Sequence, residues 1–213
     1  MPGNTSPSKE NILKRIRAAL AQDSPVPFPN HDLSASVFPV SAQELEIEFA
    51  EQFNLLQGKF IYCQDIQEFY HNWKLLLQQQ SIQKVFCGDE SLLLRLGEPF
   101  KGYCTHTDLG TCEAAVTACE MLVARTGTIV LSAAASQGRT TSVYAPIHIC
   151  VGFTEQLVYD VKDGLQQLKS SYGEKLPSQI TFASGPSRTA DIEKTLVVGV
   201  HGPKEVYCLL IQS

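Results

Sequence analysis

The sequence predicts an α/β protein built on a mostly parallel sheet that is covered on both faces. Two observations predict it. Segments with strand character alternate with helical segments along most of the chain, and several of those strands are short apolar runs. A strand buried on both faces needs apolar side chains in both directions, whereas a half-wet strand alternates. The 213 residues suffice for one sizeable domain with an appendage. A domain of that size buries roughly 70% of the surface its unfolded chain exposes, so it folds without disulfides or a metal.

The first element is a short amphipathic helix. Pro7 suits a first helical position, Ser6 can cap it, and Ile12, Leu13, Ile16, Ala19 and Leu20 repeat on one face. SPVPFPNHDLSASVFPV (24–40) carries four prolines and reads as an extended linker, so residues 1–40 form the appendage and 41–213 the α/β domain. Ser41 with Glu44 three residues on is a capping box for a second helix with Leu45, Phe49, Phe53 and Leu56 inward, stopped at Gly58. Strands follow at KFIYC (59–63), KVFCG (84–88), TGTIVLSAA, PIHICVGF, QITFASG (179–185) and EVYCLLIQ (205–212). Helices are expected from about Asp65, with Ile66, Phe69, Trp73 and Leu76 on one stripe, at ESLLLRL, and near 160–171. Periodicity also allows one helix from about 111 to 125.

Composition excludes several classes. The net charge is −5 and the basic residues are scattered, so the basic stripe of a nucleic-acid binder is missing. No stretch approaches the ~20 apolar residues of a membrane span. The first 20 residues hold no apolar segment long enough for a signal peptide, so a cytoplasmic location is expected. Seven cysteines, with no C-x-x-C pair, argue against a disulfide framework. Several sit in apolar runs such as IYC, KVFC, HIC and VYCLL, where cysteine acts as a small buried hydrophobe.

Three segments stand apart from ordinary core. In Thr126-Gly127-Thr128 the glycine permits a positive φ and close backbone approach, and the threonines offer hydroxyls; on the tripeptide alone a helix stop before a strand is the commoner explanation. SGPSRTADIEK (184–194) follows the strand QITFA and reads as a loop feeding a helix. There Gly185 and Pro186 shape the turn, Ser187 and Thr189 supply hydroxyls, Arg188 can pair bidentately with an anion, and Asp191 can hold Arg188 or meet a sugar-like hydroxyl. The plainer reading has Ser187 capping a helix, Asp191 in its first turn and Arg188 in solvent. Gly199-Val200-His201-Gly202-Pro203 places His201 in a turn where it can titrate near neutrality. His148, inside APIHIC, fits a core hydrogen bond. The run Tyr103 to Asp108, with Cys104, His106 and Cys112 beyond, lacks the paired spacings of a zinc site, so no metal is expected.

VTACEMLVARTGTIVL (116–131), PIHICVG and SGPSRTADIEKTLVVGVHGPKEVYCLLI (184–211) together resemble the lactate-utilisation protein C family. The resemblance covers about 84–213 and is strongest from 184 to 203. It implies a three-layer α/β/α fold like that of sugar-phosphate isomerases and coenzyme A transferases. It also implies a part in the bacterial oxidation of L-lactate to pyruvate, alongside two sibling subunits that carry iron–sulfur clusters. This chain has no cysteine run with cluster spacing, so it is expected to be the partner without a redox cofactor, binding a small anionic metabolite. The resemblance supplies no assigned catalytic residue. It does imply a break near Val116-Thr117 that exposes Thr117 and Glu120, and an acidic residue before Thr-Gly-Thr, where this chain has Arg125; Glu120 keeps a carboxylate nearby. Two alternatives stay open: a self-standing enzyme on a phosphorylated or acyl substrate with Glu120 or His201 as acid–base, and a structural adaptor.

Overall fold

The computed structural model describes residues 7–21, 38, 41, 43–134, 139–190, 196–198 and 201–213. Contacts divide the chain into two units, 1–40 and 41–213. In the first, α1 (Pro7–Leu20) has Pro7 at its start. Its apolar stripe is exposed at Ile12, Leu13, Ile16 and Leu20. Ser6 and most of the proline-rich segment lie outside the described residues.

The second unit opens with α2 (Leu45–Leu55), one turn later than the Ser41 start that the sequence suggested. Glu44 is therefore the residue before the helix rather than inside its first turn, and its side chain caps nothing. Ser41 instead donates to Glu48, so the capping box does not form. β1 (Lys59–Cys63) follows, then α3 (Ile66–Gln79), whose Asp65 carboxylate accepts from the Gln67 and Glu68 amides at 2.8 Å. β2 (Val85–Cys87), α4 (Glu90–Leu96) and α5 (Glu98–Lys101) come next.

The stretch 111–125 is not a helix. It forms a 3-10 turn at Leu109–Thr111, then β3 (Ala114–Thr117), β4 (Met121–Val123) and a second 3-10 turn at Ala124–Thr126. The chain does break after Thr117, but Thr117 is buried rather than exposed. Its hydroxyl lies 2.9 Å from His148 Nε2. β5 (Thr128–Ser132), α6 (Thr141–Tyr144), β6 (Ile147–Phe153), β7 (Leu157–Val158), α7 (Val161–Tyr172) and β8 (Ile180–Ala183) continue the chain. β9 (Arg188–Ala190), β10 (Leu196–Val198) and β11 (Glu205–Ile211) complete it.

The α/β class and its mostly parallel sheet are as expected. The central sheet runs β1-β11-β6-β3-β2 with every pair parallel. Alternate residues of β11 serve opposite faces. Tyr207, Leu209 and Ile211 join Phe69, Trp73, Leu76, Leu92, Leu96 and Phe100 of α3–α5. Val206, Cys208 and Leu210 join Phe49 and Phe53 of α2 with Leu122, Ile129 and Leu131. That double burial is why EVYCLLI is apolar almost throughout. What covers the second face is α2 together with a four-stranded mixed sheet, β7-β4-β5-β8. Leu168 of α7 packs on that sheet's far side against Met121, Val123 and Val130. Among the described residues no helix is long and apolar enough to cross a membrane.

Six cysteines are buried and Cys104 is half-buried, as free thiols in or beside the core. His148 meets Thr117 inside the parallel sheet, the core role that its apolar setting suggested. Burial there holds its imidazole down to about 4.

Candidate functional site

The two segments singled out in the sequence, about 60 residues apart, come together. β5 and β8 are antiparallel, with Ile129 opposite Ala183, so Thr128 and Ser184 meet at the next position. Their hydroxyls are 2.7 Å apart, and Thr126 and Thr128 are linked at 2.8 Å. Thr128 also donates to the Thr126 carbonyl at 3.2 Å. This is the local reversal needed to bring a strand start and a strand end into one place.

Both segments press on the end of α2. Gly127 has φ +54, and a Cβ there would sit 2.5 Å from the Phe53 nitrogen and 2.6 Å from the Gln52 carbonyl carbon. Only glycine combines that left-handed backbone with helix backbone at that distance. Gly185, at φ +83, lies just as close to the Leu56 carbonyl oxygen. The same oxygen accepts from Arg188 Nη2. The C-terminal carbonyls of a helix lack intrahelical partners and carry negative partial charge, so a guanidinium is well placed there.

This corrects the sequence reading of 184–194. Arg188 sits in β9, paired antiparallel with β10, and not at a helix N-terminus. The helix-dipole anion site is therefore absent among the described residues. Arg188–Ala190 takes strand form because Val198, Val197 and Leu196 supply a ladder for Arg188, Thr189 and Ala190. Asp191 and Gly199-Val200 lie outside the described residues, as does the side chain of Thr189. Pro186 is buried.

The histidine turn joins the same place. The Ser187 amide donates to the Pro203 carbonyl at 3.0 Å, and a Cβ on Gly202 would approach the Ser187 Cβ to 2.8 Å. His201 itself is exposed. This turn leads into β11, with Lys204 and Glu205 amides donating to the Pro146 carbonyl just before β6. The cluster thus lies by the amino ends of the central parallel strands, not beyond their carboxyl ends where ligands of open sheets usually sit.

Glu120 stands elsewhere. It accepts from Ser132, at the far end of β5 from Thr128, and from the Tyr172 hydroxyl at 2.7 Å. Four residues of strand separate those ends, roughly 13 Å at strand rise. Burial, and then the bond to Glu120, hold the Tyr172 hydroxyl above its ordinary range. Glu120 therefore does not share a site with Thr128 and Arg188. Arg125, in the position of the expected acid, pairs with Asp160 at 2.7 Å.

Sequence reasoning missed one charged cluster, at the amino ends of β1 and β11. Lys59 Nζ donates to Glu205 Oε2 at 2.7 Å and Tyr207 Oη at 2.9 Å, and Tyr207 donates to Glu205 at 2.8 Å. Burial works to lower the Lys59 ammonium, but the bonds to Glu205 and Tyr207 outweigh it and hold it above its ordinary value. The signal was available: Glu205 and Tyr207 are two apart in a strand, so they share a face. The possible metal run is explained otherwise, since Asp108 accepts from the Gly110 amide and His106 meets the Thr111 hydroxyl, both at 2.9 Å.

A model of the LUD domain matches residues 98–211, more than half of the 213, and the chain belongs to that family. It is similar to "Lactate utilization protein C" of Deinococcus radiodurans, 37% identical over 108 residues, which are 50% of each chain. It is also similar to "Lactate utilization protein C" of Halalkalibacterium halodurans, 37% identical over 100 residues, 46% of this chain and 44% of that one. The chain spans about half the length of these curated relatives. A crystal structure of a DUF162 family protein from Deinococcus radiodurans shares the fold, with a TM-score of 0.59 at 21% identity, over 81% of this chain and 99% of that one.

Proposed function

We propose that the chain works as a subunit of a bacterial L-lactate utilisation system, acting with iron–sulfur sibling subunits in the oxidation of lactate to pyruvate. The observation that carries this reading is where the likeness falls. The matched region, 98–211, contains both converging segments, and relatives matched at 33–37% identity bear the name lactate utilization protein C. In this reading the cluster at the end of α2 binds a small anionic ligand. Thr126, Thr128 and Ser184 supply hydroxyls, Gly127 and Gly185 supply close backbone, and Arg188 supplies charge, with His201 in the adjoining turn. A guanidinium carries five donors, so contact with the Leu56 carbonyl is compatible with an anion on the same group. No redox step is assigned to this chain.

The test is growth on L-lactate of a null strain carrying variants, beside purification of the tagged wild type. A charge-assisted hydrogen bond contributes about 1.5–3 kcal/mol, so losing it weakens binding roughly 10- to 100-fold. Arg188→Ala and Thr128→Val are expected to fold and to fail on lactate, and iron–sulfur proteins are expected to co-purify with the wild type. Normal growth of Arg188→Ala with normal stability removes Arg188 from the site. Turnover of a sugar phosphate or acyl substrate by the purified chain alone would favour a self-standing enzyme instead.

A further inference from the structure

We propose that the outer edge of β1, with the groove between β1 and α2, takes a further strand: an extended, lysine- or arginine-bearing segment of a partner protein. β1 is one edge of the central sheet, and among the described residues it pairs with β11 and with no strand on its other side. Its five residues hold an unbroken register with Tyr207–Ile211. An edge strand offers unpaired amides and carbonyls to another chain, and proteins usually guard such edges with prolines, bulges or free charges. β1 has no proline and no bulge, and its one charge, Lys59, is engaged by Glu205 and Tyr207. The opposite edge, β2, differs: the His106 amide donates to its Val85 carbonyl at 3.3 Å.

Beside that edge lies a groove of about 680 Å³. One wall is a flank of α2, where Glu46, Ile47, Ala50, Glu51 and Asn54 recur at helical spacing. The floor is the α2 side of the sheet, where Phe60 and Tyr62 share a face and Gln212 follows β11. Phe60 is held under α2 by Phe49, with ring centres 5.7 Å apart, and Tyr62 donates to Gln212 Oε1 at 3.2 Å. Ile47 is still 48% exposed and Tyr62 37%, so the groove keeps apolar surface in water. Neighbouring strands lie about 4.7–4.9 Å apart, so the inward side chains of a strand added to β1 would enter this space.

Charge selects the occupant. The groove is lined by three carboxylates, Glu44, Glu46 and Glu51, and by no basic residue. None of the three belongs to an ion pair among the described residues, and Glu51 accepts there from the neutral Gln43 Nε2 at 3.0 Å. Glu44 and Glu46 suit the dipole at the start of α2, but Glu51, in its second half, gains nothing from it. Lysine or arginine on the incoming strand answers all three. Glu44 and Glu51 stand about 10 Å apart at helix rise. Two groove-facing lysines with one apolar residue between them on the same face span about 13 Å at strand rise, within reach of their side chains. The apolar residue between them covers Ile47, Phe60 and Tyr62. A second copy of this chain fits less well, because its own β1 edge brings the same carboxylates with it. Recognition of this kind takes affinity from main-chain bonds and specificity from alternate side chains.

The experiment titrates the full wild-type chain with a capped synthetic peptide, Thr-Lys-Thr-Val-Thr-Lys-Thr, and follows backbone amides by NMR and hydrogen exchange. The expected result is saturable binding that shifts the amides of β1, Ile47 and Ala50 and slows exchange along β1 at least tenfold. The same peptide with glutamate for both lysines should bind at least tenfold more weakly. Binding of the lysine peptide should weaken as salt rises, and at least fivefold in the triple variant Glu44→Gln, Glu46→Gln, Glu51→Gln, whose changes lie at the surface. No binding by about 1 mM peptide, or equal binding of the glutamate peptide, overturns the proposal. So does protection of the β1 edge in the free chain, whether within one copy or by a dimer that forms as concentration rises. Shifts in α2 without protection of β1 would mean a helix or a small cation in the groove and overturn the added strand. The wild-type titration needs no variant to fold.

Discussion

Arg125 donates from Nε to Asp160 Oδ2 at 2.7 Å, and the same carboxylate caps α7 through the Lys162 amide at 3.0 Å. The cation that stands where family resemblance leads one to expect an acid is thus bound to the start of a helix. With both side chains under a quarter exposed, the pair lies between a surface ion pair and a buried one. Arg125→Ala should lower stability by roughly 1–2 kcal/mol at pH 7. Arg125 is the leading cause that holds Asp160 below its ordinary value of 3.8. A lowered carboxylate contributes stability above that ordinary value and loses it as pH falls through the native one. Urea melts of wild type and variant should therefore converge at low pH; a gap that persists there would place the effect outside the ion pair.

His148 has the opposite linkage. Its imidazole is buried neutral at about 4 against an ordinary 6.5, so below 6.5 the unfolded chain takes up a proton that the folded chain refuses. Stability from this source is whole above 6.5 and declines down to about 4, by about 3 kcal/mol in all. Urea unfolding between pH 7 and pH 4 should show that slope, and His148→Asn should flatten it. An unchanged slope in the variant would assign the acid sensitivity to other groups.

Gly127 and Gly102 should respond differently to alanine. At Gly127 the left-handed backbone and the α2 main chain both oppose a Cβ, so Gly127→Ala should cost about 2–4 kcal/mol. Gly102 has φ −60, and a Cβ there would meet the Pro99 carbonyl at 3.4 Å and the Glu98 carbonyl at 3.9 Å, both ordinary contacts. Gly102→Ala should be neutral or stabilising by up to about 1 kcal/mol. Thermal melts compare the two directly, and equal losses would contradict the close approach of α2.

Residues 1–40 are proposed to be an appendage to a domain that folds by itself. Limited proteolysis should cut first between α1 and α2, and the 41–213 product should still unfold cooperatively. Loss of that cooperative transition after the cut would make the N-terminal segment part of the core. Prolines at 25, 27, 29 and 39 each remove a ladder donor, so this segment cannot serve as a central strand.

Much of the candidate site was legible residue by residue, but its arrangement was not. Gly127 announced close backbone approach, and the approaching group is the end of α2, which no local pattern names. Arg188 announced a partner, and it meets the Leu56 carbonyl, 132 residues away. Glu120 was placed near Thr-Gly-Thr by the family resemblance, yet the β4–β5 hairpin carries it to the other end of β5.

The sequence by itself determined the α/β class, the positions of β1, β2, β6, β8 and β11, and the starts of α3 and α7 at Asp65 and Asp160. These rest on local chemistry: apolar runs long enough to bury two faces, and carboxylates able to cap the amides that follow them. Tertiary structure alone decided the stretch 111–125 and the loop after Ala183. VTACEMLVAR holds apolar side chains at spacings that suit either a helix or two short strands, so its own propensity is divided. The choice fell to hydrogen-bond partners supplied from afar. β2 and β6 pair with Ala114–Thr117, β5 and β7 pair with Met121–Val123, and β10 makes a strand of Arg188–Ala190. A three- or four-residue segment gains too little from its own backbone to select a conformation, so the neighbours that satisfy its amides select it.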